Sequence, residues 1–123
     1  MKKILIITFV TMALFAVAVN AQDNIEKKKI EFLISSVQNL KGAKFIRNGA
    51  EYNSIEAAKH LTLKLQKAGD HVQSADDFIR LCASKSYITG QPYLIKFPDG
   101  KTISAEKYLR DKLKEYNINI PSK

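Results

Sequence analysis

The 123-residue sequence predicts a small α+β domain in which helices dominate: three helices, a β-hairpin and then a C-terminal helix. Two observations predict this class. Apolar residues recur at helical spacing in four separate stretches of the chain. A short stretch of strand composition, followed by a Pro-Asp-Gly turn, separates the third of these stretches from the fourth. The apolar N-terminal segment stands apart and calls for a different explanation.

The first helix is predicted over residues 25–40, with Asn24 as its N-cap and Gly42 just beyond its end. Its apolar residues share one face and are Ile30, Leu33, Ile34, Val37 and Leu40. Residues 43–47 then form a short extended segment. Asn48-Gly49 predicts a turn, because both residue types tolerate positive φ.

The second helix is predicted over residues 55–68. Ser54 is its expected N-cap, and Gly69 is the residue that ends it. The third helix, residues 75–83, begins after Ser74, which starts a Ser-x-x-Asp capping motif.

The hairpin consists of residues 93–97 and 101–103, joined by the turn Pro98-Asp99-Gly100. Ser104 is the expected N-cap of the last helix, residues 105–116, and the tail 117–123 should fray. A two-stranded hairpin is marginal in water, so this one must pack on the helices. We expect it to do so through one face formed by Tyr93, Ile95 and Phe97, with the Phe45-Ile46 segment as a candidate third strand.

The N-terminus has the pattern of a secretory signal peptide. Lys2 and Lys3 precede an apolar run over residues 4–19, and Ala21 follows as a small residue before a polar stretch. The alternative is an uncleaved anchor, but the run has 16 residues and a membrane span needs about 20. We therefore predict a signal peptide, residues 1–21, and one domain, residues 22–123, with its core at about 25–116. The mature protein would lie in the periplasm or outside the cell and contain no transmembrane span.

The formal net charge is +8, and +6 once Lys2 and Lys3 are removed with the signal. Many basic residues alternate with acidic ones, which is typical of a solvated surface. The excess also allows an anionic envelope component, such as lipid head groups or cell-wall polymer, or another envelope protein, as partner. The chain lacks the basic and aromatic motifs of RNA-binding modules, and export makes nucleic acid an unexpected partner.

The chain contains one cysteine, Cys82, so no disulfide within the chain can stabilise it. Cys82 falls on the apolar arc of the third helix together with Phe78 and Ile79, which favours a buried, inert thiol. A nucleophilic role and a disulfide to another chain are the alternatives.

The second helix carries the first candidate site. Glu56, His60 and Lys64 follow one another at four-residue spacing along one edge of its apolar face. Such a ridge can bind an anion or assist proton transfer. The alternative is a structural histidine beside a lysine whose stem covers the core.

Two other segments add candidates. Ser86 and Thr89 belong to a hydroxyl-rich loop, residues 84–90, although hydroxyls in such loops mostly form caps and turns. Arg47 and Tyr52 can recognise a carboxylate or a sugar and would line the same cleft as His60 if the 48–49 turn folds over the second helix. No metal-ligand spacing appears, and we expect neither a metal nor a cofactor.

Several short strings resemble the YfeK-like family of small exported bacterial proteins, a domain of unknown function. The strings are Phe45-Ile46-Arg47-Asn48-Gly49, Glu56-Ala57-Ala58, His60-Leu61, Leu63-Lys64-Leu65, Asp77-Phe78-Ile79, Ala83-Ser84, Ile88-Thr89-Gly90 and Pro92-Tyr93. The resemblance covers about residues 25–113 and departs from the family pattern at Cys82, Lys85 and Tyr87. It implies export and a single domain, and brings no established activity or ligand.

Two classes of function follow. The favoured one is an exported, non-enzymatic binding module, with a site formed by His60, Lys64, Ser86, Thr89, Arg47 and Tyr52. The alternative is a small hydrolase that uses a serine, or Cys82, with His60. A hydrolase requires its nucleophile and base within hydrogen-bonding distance, so the contacts of His60 distinguish the two.

Overall fold

Four helices and a four-stranded antiparallel sheet form residues 23–120, the part of the chain that the computed structural model describes. The helices are α1 over residues 23–38, α2 Ser54–Ala68, α3 Ala75–Cys82 and α4 Ala105–Asn119. The strands are β1 Lys44–Arg47, β2 Ala50–Tyr52, β3 Leu94–Lys96 and β4 Thr102–Ser104. This confirms the predicted helix-dominated α+β class. The predicted signal peptide, residues 1–21, lies outside the described residues.

The sheet has the strand order β2-β1-β3-β4. The hairpin of β3 and β4 pairs with β1, so that Phe45 faces Ile95 and Ile46 faces Leu94 in register. The Phe45-Ile46 segment therefore pairs with the hairpin as predicted. It belongs to β1, an interior strand of the sheet.

Strand β2 is absent from the sequence prediction, which gave the Asn48-Gly49 turn but no strand after it. Both turn residues have positive φ, 52° and 79°, and this conformation matches the twist of a two-residue hairpin. β1 and β2 pair across the turn through three residue pairs. The three-residue segment Ala50–Tyr52 has little strand composition of its own, and pairing with β1 makes it a strand.

The core lies where the sheet meets the helices, and each of the four helices contributes buried side chains to it. Its most deeply buried large side chains are Leu33, Val37, Phe78, Ile79, Cys82, Ile95 and Leu109. Ile95 is completely buried, while Tyr93 and Phe97, which flank β3 on either side, are half-buried against the core. Cys82 is a free thiol inside this core, on the face that its helical position predicts.

The ends of two helices correct the sequence prediction at their N-caps. α2 begins at Ser54, and its N-cap is Asn53: the Asn53 side chain accepts a hydrogen bond from the Glu56 amide at 2.9 Å, and the Glu56 carboxylate accepts one from the Asn53 amide. This capping box satisfies two amides, which Ser54 does not. Asn24 is not an N-cap either, because α1 is already helical at residue 23. Ser74 and Ser104 do cap α3 and α4.

The C-terminal ends also differ from the prediction. α1 ends at residue 38, two residues early, because the Leu40 amide donates to the Val37 carbonyl in a tighter turn. α4 continues to Asn119, so residues 117–119 are helical where fraying was expected. Tyr116 holds this last turn by packing on Phe32 of α1, with 4.9 Å between ring centroids. Within residues 23–120, no helix combines the length and the hydropathy that a membrane span requires.

Candidate functional site

A small cavity of about 60 Å³ opens where α2 crosses the first hairpin. Its floor is apolar and belongs to the core. Five polar or aromatic side chains surround it, from β1, β2, α2 and the start of the second hairpin. This set, named the basic cleft below, consists of Arg47, Tyr52, His60, Lys64 and Tyr93. Four of the six residues that the sequence suggested for a binding site therefore lie together.

His60 is held on two sides. An Arg47 guanidinium nitrogen lies 3.1 Å from His60 Nδ1. Because a guanidinium only donates, Nδ1 is the acceptor in this contact. The Tyr52 ring packs on the imidazole with 4.8 Å between centroids. This arrangement fixes both the ring orientation and the position of the Arg47 side chain.

Lys64 points towards aromatic groups. Its Nζ donates a hydrogen bond to the Tyr93 hydroxyl and lies 4.5 Å from the centroid of the Tyr93 ring. The Tyr87 ring is further away, at 5.9 Å. Aromatic faces attract cations, but they leave the full positive charge of the ammonium group in place.

Arg47 and Lys64 differ from the other basic side chains in residues 23–120. Five Lys and Arg residues in this part of the chain are half-buried, and three of these form ion pairs with carboxylates: Lys29, Arg110 and Lys112. Neither Arg47 nor Lys64 has a carboxylate within ion-pair distance there. The remaining basic side chains of these residues are exposed to solvent. The basic cleft therefore holds two partly desolvated positive charges without an anionic partner.

Ser86 and Thr89 do not line the cavity. Both hydroxyls hydrogen-bond to Asn48, which follows Arg47 at the hairpin turn beside the cavity. Asn48 Nδ2 donates to Ser86 Oγ at 3.3 Å, and Thr89 Oγ1 donates to Asn48 Oδ1 at 2.6 Å. Ser86 is buried. These contacts fasten the 84–90 loop to the turn beside the cleft, so both hydroxyls have a structural use.

Among the described residues, no nucleophilic side chain is placed beside His60. Within residues 23–120, His60 has no hydrogen bond to a serine, threonine or cysteine, and the Ser84 hydroxyl donates to the Ile79 carbonyl instead. Burial raises the pKa of the Cys82 thiol, while the charge of Lys64 has a smaller opposite effect. A buried thiol with a raised pKa is a poor nucleophile. The same residues contain no group of three His, Cys, Asp or Glu side chains placed to hold a metal ion.

The sequence did not identify Tyr93 of the cleft, or Asn48 and Tyr87 beside it, as site residues. Tyr93 was assigned to the packed face of the hairpin, and its hydroxyl reaches Lys64 from that position. Tyr87 appeared only as a departure from a family pattern. Asn48 was interpreted as a turn residue, and its positive φ supports that role, but its side chain also bridges to the 84–90 loop. No local pattern reveals contacts across 29 to 41 positions of chain.

The fold and the cleft define a small helix-dominated α+β domain with a basic, tyrosine-lined cavity. The chain belongs to the family of unknown function DUF5329, whose model matches residues 24–117. It is similar to the uncharacterized protein YfeK of Salmonella typhimurium, with 38% identity over 68 residues. This match covers 55% of the chain and 57% of the relative, so the chain spans little more than half of that protein's length. No solved structure matches the chain. The YfeK-like resemblance is thereby confirmed.

Proposed function

We propose that this protein is an exported, non-enzymatic binding module whose basic cleft takes a carboxylate or phosphate group of an envelope component. The observation that carries the proposal is the pair Arg47 and Lys64, two half-buried cations without a carboxylate partner in residues 23–120. Partial burial of a cation without a counter-charge is unfavourable, and an anionic ligand would remove that cost.

The size of the cavity limits what enters it. Sites for whole drug-sized ligands have volumes of about 300–1,000 Å³, whereas this cavity has about 60 Å³. A single anionic group fits such a space, and the rest of a larger ligand would lie on the surface outside. This supports recognition of one charged group on a large envelope molecule rather than enclosure of a metabolite.

Arg47 is suited to the first contact. A guanidinium has five N–H donors in a planar fork, and His60 takes one of its nitrogens. The remaining donors are available to a carboxylate or phosphate. His60, which packs on Tyr52, already holds the Arg47 side chain. An anion would therefore meet a positioned guanidinium, and little further side-chain entropy would be lost on binding.

The cleft is tested by NMR titration of the protein with inorganic phosphate and with acetate. We expect saturable shifts of the Arg47 and Tyr93 resonances, and about a ten-fold weaker affinity in Lys64→Ala, since a charge-assisted hydrogen bond contributes about 1.5–3 kcal/mol. The matched control is Lys59→Ala, which removes the same charge from an exposed position of the same helix. If both substitutions weakened the affinity equally, the anion would be bound by the overall positive charge of the surface. That result would contradict specific binding in the cleft.

Export is tested separately, because the predicted signal peptide lies outside the described residues. The intact mass of the protein recovered from the cell envelope should correspond to a chain that begins at Gln22. Recovery of a chain that still carries residues 1–21, held in the membrane fraction, would contradict cleavage and favour the anchor.

A further inference from the structure

The 84–90 loop carries the most exposed large apolar side chain of residues 23–120. Ile88 is 91% exposed, and its neighbour Tyr87 is 69% exposed. Single exposed apolar residues are common and need no explanation. Among the large apolar residues exposed in this part of the chain, these two are the only ones adjacent in sequence, and they stand at the end of a projecting loop. They are named the loop tip below.

Hydrogen bonds prevent the loop tip from folding back onto the core. The Gly90 amide donates to the Ser86 carbonyl at 2.8 Å, and the Ser86 amide donates to the Gln91 carbonyl at 3.0 Å. A β-bridge between Lys85 and Pro92 closes the base, and the Asn48 side chain fastens the loop from outside. These contacts already order the backbone of the loop. Binding through the loop tip therefore requires little further loss of backbone entropy.

The surroundings of the loop tip are basic. Tyr87 lines a shallow depression of about 410 Å³ together with Lys64, Lys67 and His71. Lys85 is exposed two positions before Tyr87. Within residues 23–120 none of these four basic side chains forms an ion pair, and Asp70, exposed in the neighbouring turn, pairs with none of them.

We propose that the loop tip docks on the surface of an anionic phospholipid bilayer, with Ile88 entering the interfacial region and Lys67 and Lys85 facing the head groups. An apolar tip ringed by cations matches the two layers that such a surface presents, apolar chains beneath negative charge. Tyrosine is enriched at that boundary, since its ring is apolar and its hydroxyl polar. This surface adjoins the basic cleft but does not need an anion in the cleft.

The chain contains no tryptophan, so Ile88→Trp places a single fluorescent reporter at the loop tip. With vesicles of phosphatidylglycerol and phosphatidylcholine we expect its emission to shift to the blue and to be quenched by brominated lipid. Vesicles of phosphatidylcholine alone should produce neither effect. Because the full chain also carries the apolar residues 4–19, sedimentation with vesicles would not report on the loop, whereas this reporter does.

Two controls match this variant. Ile118→Trp places the same reporter at a position of α4 that is 79% exposed, and its emission should not change. Adding Lys67→Glu and Lys85→Glu to Ile88→Trp should weaken the partition by at least about ten-fold, since each lysine near an anionic surface contributes about 1 kcal/mol. Adding Lys114→Glu, an exposed position of α4, should weaken it less.

Three results would overturn the proposal. An Ile88→Trp reporter that ignores the anionic vesicles would show that the loop tip does not enter lipid. A shift of this reporter with an envelope protein but not with vesicles would assign the surface to a protein partner instead. Equal shifts at positions 88 and 118 would indicate general adsorption rather than docking through the loop.

Discussion

Ile95→Ala is expected to lower the free energy of unfolding by about 2–5 kcal/mol. Ile95 is completely buried at the centre of β3, between Phe45 of β1 and Ile103 of β4 in the register of the sheet. Removing its side-chain carbons leaves a cavity that three strands and the helices behind them fill only in part. Denaturant unfolding followed by circular dichroism measures the change.

The matched control for this substitution is Ile118→Ala, which deletes the same atoms at a position that is 79% exposed. Exposed substitutions usually change stability by less than about 0.5 kcal/mol, and we expect that here. A loss below about 1 kcal/mol for Ile95→Ala would mean that the described register, which places this side chain in the core, is wrong.

Cys82 is expected to react with a thiol reagent at least about a thousand times more slowly in the native protein than in denaturant. The side chain is 1% exposed, and burial raises the pKa of its thiol, which lowers the fraction of reactive thiolate. Labelling of the native protein then requires opening of the fold, and domains of this size resist unfolding by about 5–15 kcal/mol. Mass spectrometry of timed samples gives both rates.

The two predictions are linked. If labelling proceeds through global unfolding, Ile95→Ala should accelerate it by about 30-fold or more, in proportion to the lost stability. Fast labelling of the unaltered native protein would instead indicate an accessible thiol. That result would favour a reactive or intermolecular role for Cys82.

The helices were predictable because their information is local. The spacing of apolar residues and the caps Ser74 and Ser104 place α3 and α4 almost as the structure has them. The error at Ser54 has a simple cause: neighbouring Asn and Ser are both good N-caps, and the reciprocal contact with Glu56 favours Asn53. Strand β2 carried no such local information, since β1 supplies its hydrogen-bonding partners.

The site was predictable in its composition but not in its contacts. His60 and Lys64 were recognisable from their place on one helix edge. Their helical spacing does not predict that Arg47 contacts the His60 imidazole or that Tyr93 contacts the Lys64 ammonium group. Each of these contacts joins segments that are distant in the sequence. Ser86 and Thr89 were assigned to ligand binding and lie outside the cavity lining, where their hydroxyls hold Asn48.

The strand order has a consequence for the sequence of folding events. Each outer strand joins its neighbour through a short turn, but the central pair brings Phe45 to Ile95 across about 50 positions. Closing so long a loop costs about 2 kcal/mol more in chain entropy than closing a four-residue turn. The two hairpins are thus the early, local steps, and their union is the late one. Arg47 lies on one side of that seam and Tyr93 on the other. A nascent chain that stops short of Tyr93 therefore carries all the basic residues of the cleft without yet having a cleft.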